Sequence, residues 1–404
     1  MPDLTYHTAG ESHGPGLIIL VQGMPAGVPI DESLINAELL RRQGGYGRGA
    51  RMKIETDTID ILSGVRRGKS IASPIAMRIA NKDSRLDDLA RTPPVHRPRP
   101  GHADLAGSVK WLTTDCRDTL ERASARETAS RVAAGALARC ILRELDIDAM
   151  AFVRSIHTVA TDIEATADNW RELRARRDAS DVYCPDESAG ERMREAIRQA
   201  KIDKDTVGGI VEAHVFGVPI GLGSCADWRY RLDARLAFAV MGIQAFKAVE
   251  IGLGRECAAR RGSQVHDPIR FDPEKVPTHT LGFERDSNNA GGLEGGMTNG
   301  QPIVVKGTMK PISTLLRGLP SVNLITKQPE RSEYERSDIC AVSAASVVVE
   351  NVVAFEIARA ALEKFAGDTL IELIDNRDRF LATARSLPLD TPDLPGASLG
   401  PTLA

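Results

Sequence analysis

Apolar positions along the chain recur at two spacings, every three to four residues in some stretches and in short β-branched runs in others, and the alternation outlines the elements. Ser124–Leu145 carries alanine, leucine and valine at helical spacing with arginines between them. Asp186–Lys204 is charged and amphipathic, and Cys340–Phe365 is apolar and rich in small residues, as a buried helix is. A shorter helix is predicted after Asp31, whose carboxylate can cap it; Leu34, Leu39 and Leu40 follow, and Gly44 and Gly45 end it. The runs GLIILVQG from Gly16, TIDILSG from Thr58, SPIAMRIAN from Ser73, AMAFVRSIH from Ala149, GGIVEAHVFG from Gly208, FKAVEIGLG from Phe246 and QPIVVKGTM from Gln301 read as strands, most of them β-branched and bounded by Gly or Pro. A long helix followed directly by a strand occurs over Ser124–His157 and again over Trp228–Gly254, a faint internal repeat compatible with pseudo-symmetry. The glycine-rich stretches 43–51 and 288–301 exceed ordinary connectors and are candidate functional loops. From Ser386 the chain is proline-punctuated and aperiodic, so 386–404 is expected to be a flexible tail, while the length leaves the number of domains in 1–385 open.

Composition narrows the class. At 404 residues, 42% hydrophobic and 26% charged, the chain is of the soluble globular type, and disordered, collagenous and membrane classes drop out. Its 52 Lys and Arg against 55 Asp and Glu leave a net charge of -3, so there is no global basic field for a nucleic acid or an anionic membrane, and any anion site must be local. With 4% aromatic residues, base-stacking platforms are scarce too. Cys116, Cys140, Cys184, Cys225, Cys257 and Cys340 are scattered, with no CxxC and no close Cys/His spacing, which argues against a metal site and against a disulfide framework. The N-terminal MPDLTYHTAGESHG has neither a basic nor an apolar leader region, and a cytoplasmic location is expected.

Candidate chemistry gathers in five segments. In ELLRRQGGYGRGARM, Arg41, Arg42, Arg48 and Arg51 surround a glycine turn, so backbone N–H groups and guanidinium forks can converge on one oxyanion; the plainer reading is a solvated basic loop. His13 in GESHGPG and His102 in RPRPGHAD stand in turns, where an imidazole can serve as a general acid near neutral pH or hold the turn together. His7, His96, His157, His214, His266 and His279 read as structural or surface residues. In ERASARETASRV, Arg122, Ser124, Arg126 and Glu127 open a long helix, either as an anion site or as a capped end with an exposed charged face. SNNAGGLEGGMTNGQPI has glycines at 291, 292, 295 and 296 that can let a flat ligand approach, and the KPIST that follows offers Lys310, Ser313 and Thr314 as donors. Arg336 and Asp338 in ERSDICAV precede the buried helix, where Asp338 can be simply its N-cap.

One competing pattern is a dinucleotide fingerprint. Strand, then Gly221, Gly223 and Ala226, then helix, with Glu250 at the end of a following strand, is the layout of a NAD(P)-dependent oxidoreductase. Against it, Pro219 interrupts the strand and the rest of the chain does not continue as βαβ units.

Taken in order, GESHG, RRQGGYGRGARM, RPGHAD, RASARET, QAFKAVEIG, NNAGGLEGGMTNGQPI, KPIST and RSDICAV resemble the motif series of the chorismate synthase family, from about Thr8 to about Phe365. The resemblance implies an α+β fold, a single-domain β-α-β sandwich with antiparallel sheets around a helical layer. It implies a lyase of the shikimate pathway, in aromatic amino acid biosynthesis, that removes phosphate from 5-enolpyruvylshikimate 3-phosphate by trans 1,4-elimination to give chorismate, and that requires reduced FMN (FMNH2) with no net redox change. By the family pattern, Arg42, Arg48 and Arg51 bind the anionic substrate (positions the family also associates with NADP). His13 serves the leaving phosphate, His102 sits beside the flavin, and Asp338 assists deprotonation at flavin N5. Ser12 and Ser124 keep the relays hydrogen-bonded. FMN is expected at Arg122, Ala123, Ser124, Gln244, Ala245, Gly295, Lys310, Pro311, Ile312, Ser313, Thr314 and Arg336. The family implies a homotetramer, with the helix from Cys340 serving core or interface. No pyridine nucleotide site stands out, which leans toward an external flavin reductase. Pro268, where the family often has an acidic residue, and the tail after Ser386 depart from the pattern.

Overall fold

The structure, a computed structural model, describes residues 3–49, 56–332 and 337–386. Its helices are α1 (Glu32–Gln43), α2 (Asp104–Trp111), α3 (Arg117–Ala123), α4 (Thr128–Glu144), α5 (Trp170–Ala179), α6 (Glu187–Ile202), α7 (Leu232–Met241), α8 (Val342–Phe365) and α9 (Leu370–Arg385). Two antiparallel sheets enclose a layer of these helices. Sheet I runs Thr5–Ala9, Gly16–Gln22, Ile75–Ala80, Ile59–Ile61. Sheet II runs Phe246–Ile251, Ile303–Met309, Gly209–Phe216, Asp148–Ile156, Val159–Ala160. Between them α4 packs on Gly16–Gln22, and α8 packs on α1, α4, α7 and the middle of sheet II. This is the α+β sandwich that the motif series implies.

The predicted elements form for the reasons read in the sequence. Asp31 caps α1, its carboxylate accepting the Leu34 N–H at 2.9 Å, and Asp186 caps α6 in the same way at Ala189. The helix predicted from Ser124 begins as a 3-10 turn at Ala125–Glu127 and becomes α-helical at Thr128. α8 is buried on nearly all sides, which accounts for its apolar sequence within one chain. The strands of both helix–strand units lie in sheet II, separated there by two others. α9 was not read in the sequence, although its capping box, Thr369 with Glu372, is a local start signal. Residues 387–404 of the predicted tail lie outside the described residues.

Two expectations are corrected. The glycine fingerprint does not open a nucleotide site: its strand Gly209–Phe216 is antiparallel to both neighbours, and Gly223 bridges Met297. A Cβ on Gly223 would stand 2.4 Å from the Gly296 carbonyl, so protein backbone already fills the space the fingerprint reserves for a pyrophosphate. Nor is Asp338 the cap of the buried helix; α8 starts four residues later without a side-chain cap.

Within the helical layer a set of charges is buried. Glu350 of α8 meets Arg41 of α1 and Arg139 of α4 at 3.0 Å each and Arg177 of α5 at 2.8 Å, and it accepts the Ala151 N–H of sheet II at 2.8 Å. Burial alone would raise its carboxyl, but the surrounding guanidiniums outweigh that and hold it well below the usual carboxylate range. Glu38 of α1 shares Arg41 and Arg139, and accepts from the Asn351 amide at 2.8 Å.

α4 and α8 pack tightly at Gly135, where a Cβ would stand 2.1 Å from the Asn351 carbonyl oxygen. Gly135→Ala is therefore expected to lower stability by about 1–3 kcal/mol, although alanine alone favours a helix by about 1 kcal/mol. Urea unfolding checks the sign; a variant more stable than the parent would show that this helix contact gives way readily.

Candidate active site

His13 follows sheet I's first strand in a turn held by Asn81, whose amide donates to the carbonyls of Glu11, Ser12 and Gly14. The imidazole is buried, with Nδ1 2.9 Å from Oε1 of Glu121 on α3 and Nε2 facing Asp83 Oδ2 at 3.8 Å and Arg85 Nη2 at 3.5 Å. Ser12, also buried, accepts from the Ser124 hydroxyl at 3.2 Å, and Ser124 in turn caps the 3-10 turn by accepting the Arg126 N–H. Ser124 thus caps the turn as the capped-end reading of ERASARET has it and also links to the histidine turn, but the charged face is not exposed: Arg126 and Glu127 are buried, paired with Asp57 and Arg131.

The arginines form a second cluster around two carboxylates. Asp57 accepts from Arg42 at 2.9 Å and from Arg126 at 2.7 Å, and Arg126 Nε also donates to Asn81 Oδ1, joining this cluster to the His13 turn. Burial pulls the Arg42 guanidinium down to about 10, Asp57 opposing and the nearby Arg126 and Arg48 adding to the effect. Arg42 Nε is buried with no hydrogen-bond partner among the described residues. Arg48 pairs with Asp338 at 3.0 Å, and the Gly49 N–H donates to the same carboxylate at 2.6 Å. The loop's glycines are needed for close packing and not for an open cradle: a Cβ on Gly45 would meet Ser343 and one on Gly47 would meet Ile197, each at 2.7 Å. Arg51 and Arg336 lie outside the described residues.

His102 heads a third cluster just before α2. Its Nδ1 contacts Asp104, which also accepts from Arg99 Nε at 2.8 Å, and Arg99 reaches on to the Thr314 hydroxyl at 3.2 Å. Burial would raise Asp104, but hydrogen bonds from His102 and Arg99 hold it well below the usual carboxylate range, so this ionised carboxylate accepts and His102 Nδ1 donates. Lys310 Nζ bonds the Gly101 carbonyl, and burial together with Lys247 lowers its ammonium below the ordinary range.

Backbone and side-chain links close the three clusters into a ring. Arg122, following Glu121, donates to the Thr8 carbonyl at 2.9 Å; Thr8 Oγ1 donates to Glu127, and Gln244 Nε2 donates to the other Glu127 oxygen at 3.0 Å. Ala245, at φ 71°, accepts the Lys310 N–H, and Thr206 holds the Ile312 carbonyl at 2.7 Å while its neighbour Val207 bonds Ile339 beside Asp338. Ser313 lies across from Gly101. Gln244 Oε1 is buried and meets no hydrogen-bond donor among the described residues.

The structure thus brings Ser12, His13, Arg42, Arg48, His102, Arg122, Ser124, Gln244, Ala245, Lys310–Thr314 and Asp338 together. Gly295 stands apart, in the Leu293–Thr298 hairpin that packs on the start of α7 through the Leu232 N–H and Gly296 carbonyl. Of the four glycines predicted to admit a flat ligand, Gly291, Gly292 and Gly296 abut protein within 2.6 Å of a built Cβ; around Gly295 only ordinary van der Waals neighbours occur. A cleft of about 360 Å³ lined by Asp233, Ile251, Cys257, His266, Asp267 and Asn289 holds none of the predicted residues, and its polar atoms are spent locally, as when Asp267 takes Ser287 and the Asn289 and Ala290 N–H groups. Among the described residues no group of three or more His, Cys, Asp and Glu is placed to hold a metal ion.

Sequence reasoning missed the carboxylates. Asp104 and Glu121 stand inside quoted motifs, two residues after His102 and three before Ser124, so the signal was at hand. Asp57, Asn81 and Asp83 carry no local signal and are identified only by what folds against them.

A family model described as chorismate synthase matches residues 4–362. A chorismate synthase of Desulforudis audaxviator is 53% identical over 393 residues, 95% of this chain and 98% of the relative, and one of Desulforamulus reducens is 51% identical over 379 residues, 92% of this chain and 96% of the relative. A crystal structure of chorismate synthase matches with a TM-score of 0.78 at 38% identity, covering 96% of this chain and all of that one.

Asp57 is the carboxylate that two buried guanidiniums share. Asp57→Asn is expected to cost about 3–5 kcal/mol of stability by leaving them uncompensated, and added inorganic phosphate is expected to restore part of it by occupying the site. Urea unfolding with and without phosphate measures both effects; an unchanged midpoint in the variant would sink this account of the cluster.

Proposed function

The chain belongs to the chorismate synthase family, and from that membership we propose how its ring of residues carries out the family's reaction. The reaction is the trans 1,4-elimination of phosphate from 5-enolpyruvylshikimate 3-phosphate to chorismate, a lyase step of aromatic amino acid biosynthesis. Its substrate carries a phosphate and two carboxylates, and the gathering of the buried guanidiniums of Arg42, Arg48 and Arg126 beside the His13 turn is the observation that carries the reading. Arg51 and Arg336 extend this set by family pattern.

His13 stands as the proton donor to the departing phosphate oxygen, through the Nε2 that faces Asp83 and Arg85. Asp338 is engaged by Arg48 and the Gly49 N–H; an anion that draws Arg48 toward itself frees carboxylate oxygen to hold a proton. Ser12 and Ser124 keep the His13 turn in register with the start of α4.

The ring also fits FMN. The unpartnered Gln244 Oε1 can accept from a ring N–H, and Lys310, Ser313 and Thr314 supply donors beside His102. Arg122, Ala123, Ser124, Gln244, Ala245, Lys310, Pro311, Ile312, Ser313, Thr314 and Arg336 would hold it; Gly295 joins this set by family pattern alone, since its hairpin stands apart from the ring. Bound and reduced, FMN supplies electron density that starts phosphate departure and takes it back without net redox change. His102, its Nδ1 committed to Asp104, leaves Nε2 to respond to charge on the flavin edge.

The hydrophobic core that runs from Leu4 to Leu373 supports reading 1–385 as one catalytic unit. With α8 absorbed in that core, the exposed Trp228, Tyr230 and Phe238 near α7 are the apolar surface that supports a homotetramer. Closure of the glycine fingerprint by protein contacts supports an external source of reduced flavin. That no helix among the described residues is long and apolar enough to cross a membrane agrees with a cytoplasmic enzyme.

Mixed anaerobically with 5-enolpyruvylshikimate 3-phosphate, the protein is expected to release phosphate and form chorismate only with reduced FMN, with no net flavin oxidation. His13→Ala is expected to keep FMN binding and lose roughly 10²–10⁴ in turnover. Release without flavin would point to a hydrolase, and near-normal turnover in the variant would remove His13 from the proton transfer.

A further inference from the structure

Glu121 is held by one residue in two ways. Its Oε2 accepts the His13 backbone N–H at 2.8 Å, and the His13 Nδ1 lies 2.9 Å from Oε1 and 3.1 Å from Oε2. The tether is doubled in the backbone, where the Ser12 N–H donates to the Glu121 carbonyl at 3.0 Å. On its other side the His13 carbonyl accepts from the Arg85 and Leu86 N–H groups, so the ring has little freedom to turn away. The charged groups facing the imidazole are Glu121 with Arg117, 3.5 Å behind it on α3, and Asp83 with Arg85 from the turn after sheet I.

We propose that Glu121 is a positioning residue that fixes the neutral His13 ring as its Nδ1–H tautomer, making Nε2 the nitrogen that gains and loses the proton. The proposal rests on the reading of His13 as the proton donor. Burial would raise the Glu121 carboxyl, but the hydrogen bond and charge of His13, with Arg117 adding, keep it below the usual range. An ionised carboxylate only accepts, so the Nδ1 beside it must donate. Two donors of one residue then occupy two acceptor oxygens, an arrangement that no amide can reproduce. In Glu121→Gln the single oxygen can serve either the backbone N–H or Nδ1. The backbone N–H cannot stop donating, whereas the ring can: the amide NH2 turns to Nδ1 and the imidazole becomes the Nε2–H tautomer. The doubly protonated ring is disfavoured by the same NH2, and with it the proton that the leaving phosphate needs.

The test uses full-length protein labelled with 15N-histidine, the His13 resonances being identified by their loss in His13→Asn. In the parent protein at high pH, Nδ1 is expected to carry the proton and Nε2 to show the signal of an unprotonated ring nitrogen; in Glu121→Gln the two are expected to exchange. Turnover of 5-enolpyruvylshikimate 3-phosphate is expected to fall in Glu121→Gln by roughly 10²–10⁴ through kcat, as when a catalytic histidine is left in the wrong tautomer, with KM nearly unchanged. An Nε2–H tautomer in the parent, or a glutamine variant with parental tautomer and kcat, overturns the proposal. Should the variant not fold, the parental spectrum alone decides. A parent that releases no phosphate overturns the elimination reading, while its spectrum still upholds or overturns the role of Glu121.

Discussion

Everything in the sandwich is arranged around the charges buried between its sheets. Glu350 stands where α1, α4, α5 and α8 meet and neutralises guanidiniums from three of them, while Glu38 shares two of the same arginines. Removing one member of such a set strands the others in a medium of low polarity, so the helices can pack only in the register that keeps all five partners in contact. Arg41, one of those partners, is in the last turn of α1, and its carbonyl accepts from the Tyr183 hydroxyl at 2.7 Å and from the Gly44 N–H. The next residue is Arg42. The buried cluster therefore fixes where the helical layer ends and the arginine loop begins.

The two histidines of the site follow one rule in two settings. Each places Nδ1 on a carboxylate that is buried and ionised, Glu121 for His13 and Asp104 for His102. The Nε2 then faces Asp83 and Arg85 in His13, and Arg99 in His102. They differ in what shares the carboxylate: Arg99 donates twice to Asp104 and leads on to Thr314, whereas Glu121 spends its second oxygen on the backbone of His13 itself. His102 is thus tied to the loop at Lys310–Thr314, and His13 to its own turn.

How much of this could be read from the chain depends on whether the cause was local. Strands such as Gly16–Gln22 and Ile303–Met309 alternate or bury β-branched residues, and α1 and α6 begin at capping aspartates, so both kinds of element were legible at nearly their observed ends. The Gly221–Gly223 pattern misled because a glycine at positive φ marks any close backbone approach, and here the approach is to the Gly296–Met297 hairpin. Within the site, the histidines, serines and glycine-flanked arginines announce themselves through their turns. Asp57 and Asn81 do not, since their partners are distant in the chain: Arg126 lies 69 residues from Asp57 and 45 from Asn81, and the His13 turn that Asn81 holds is as remote.

Arg126 also ties the arginine cluster to the His13 turn. It shares Asp57 with Arg42, while Arg48 takes Asp338, in surroundings dry enough to pull Arg42 down to about 10. Burial and the neighbouring Arg126 and Arg48 both weigh against the Arg42 charge while Asp57 supports it, so the fold holds these guanidiniums together against their mutual repulsion. Because Arg126 Nε holds Asn81 and Asn81 holds the His13 turn, the arginines and the histidine are set in place relative to one another by one chain of bonds.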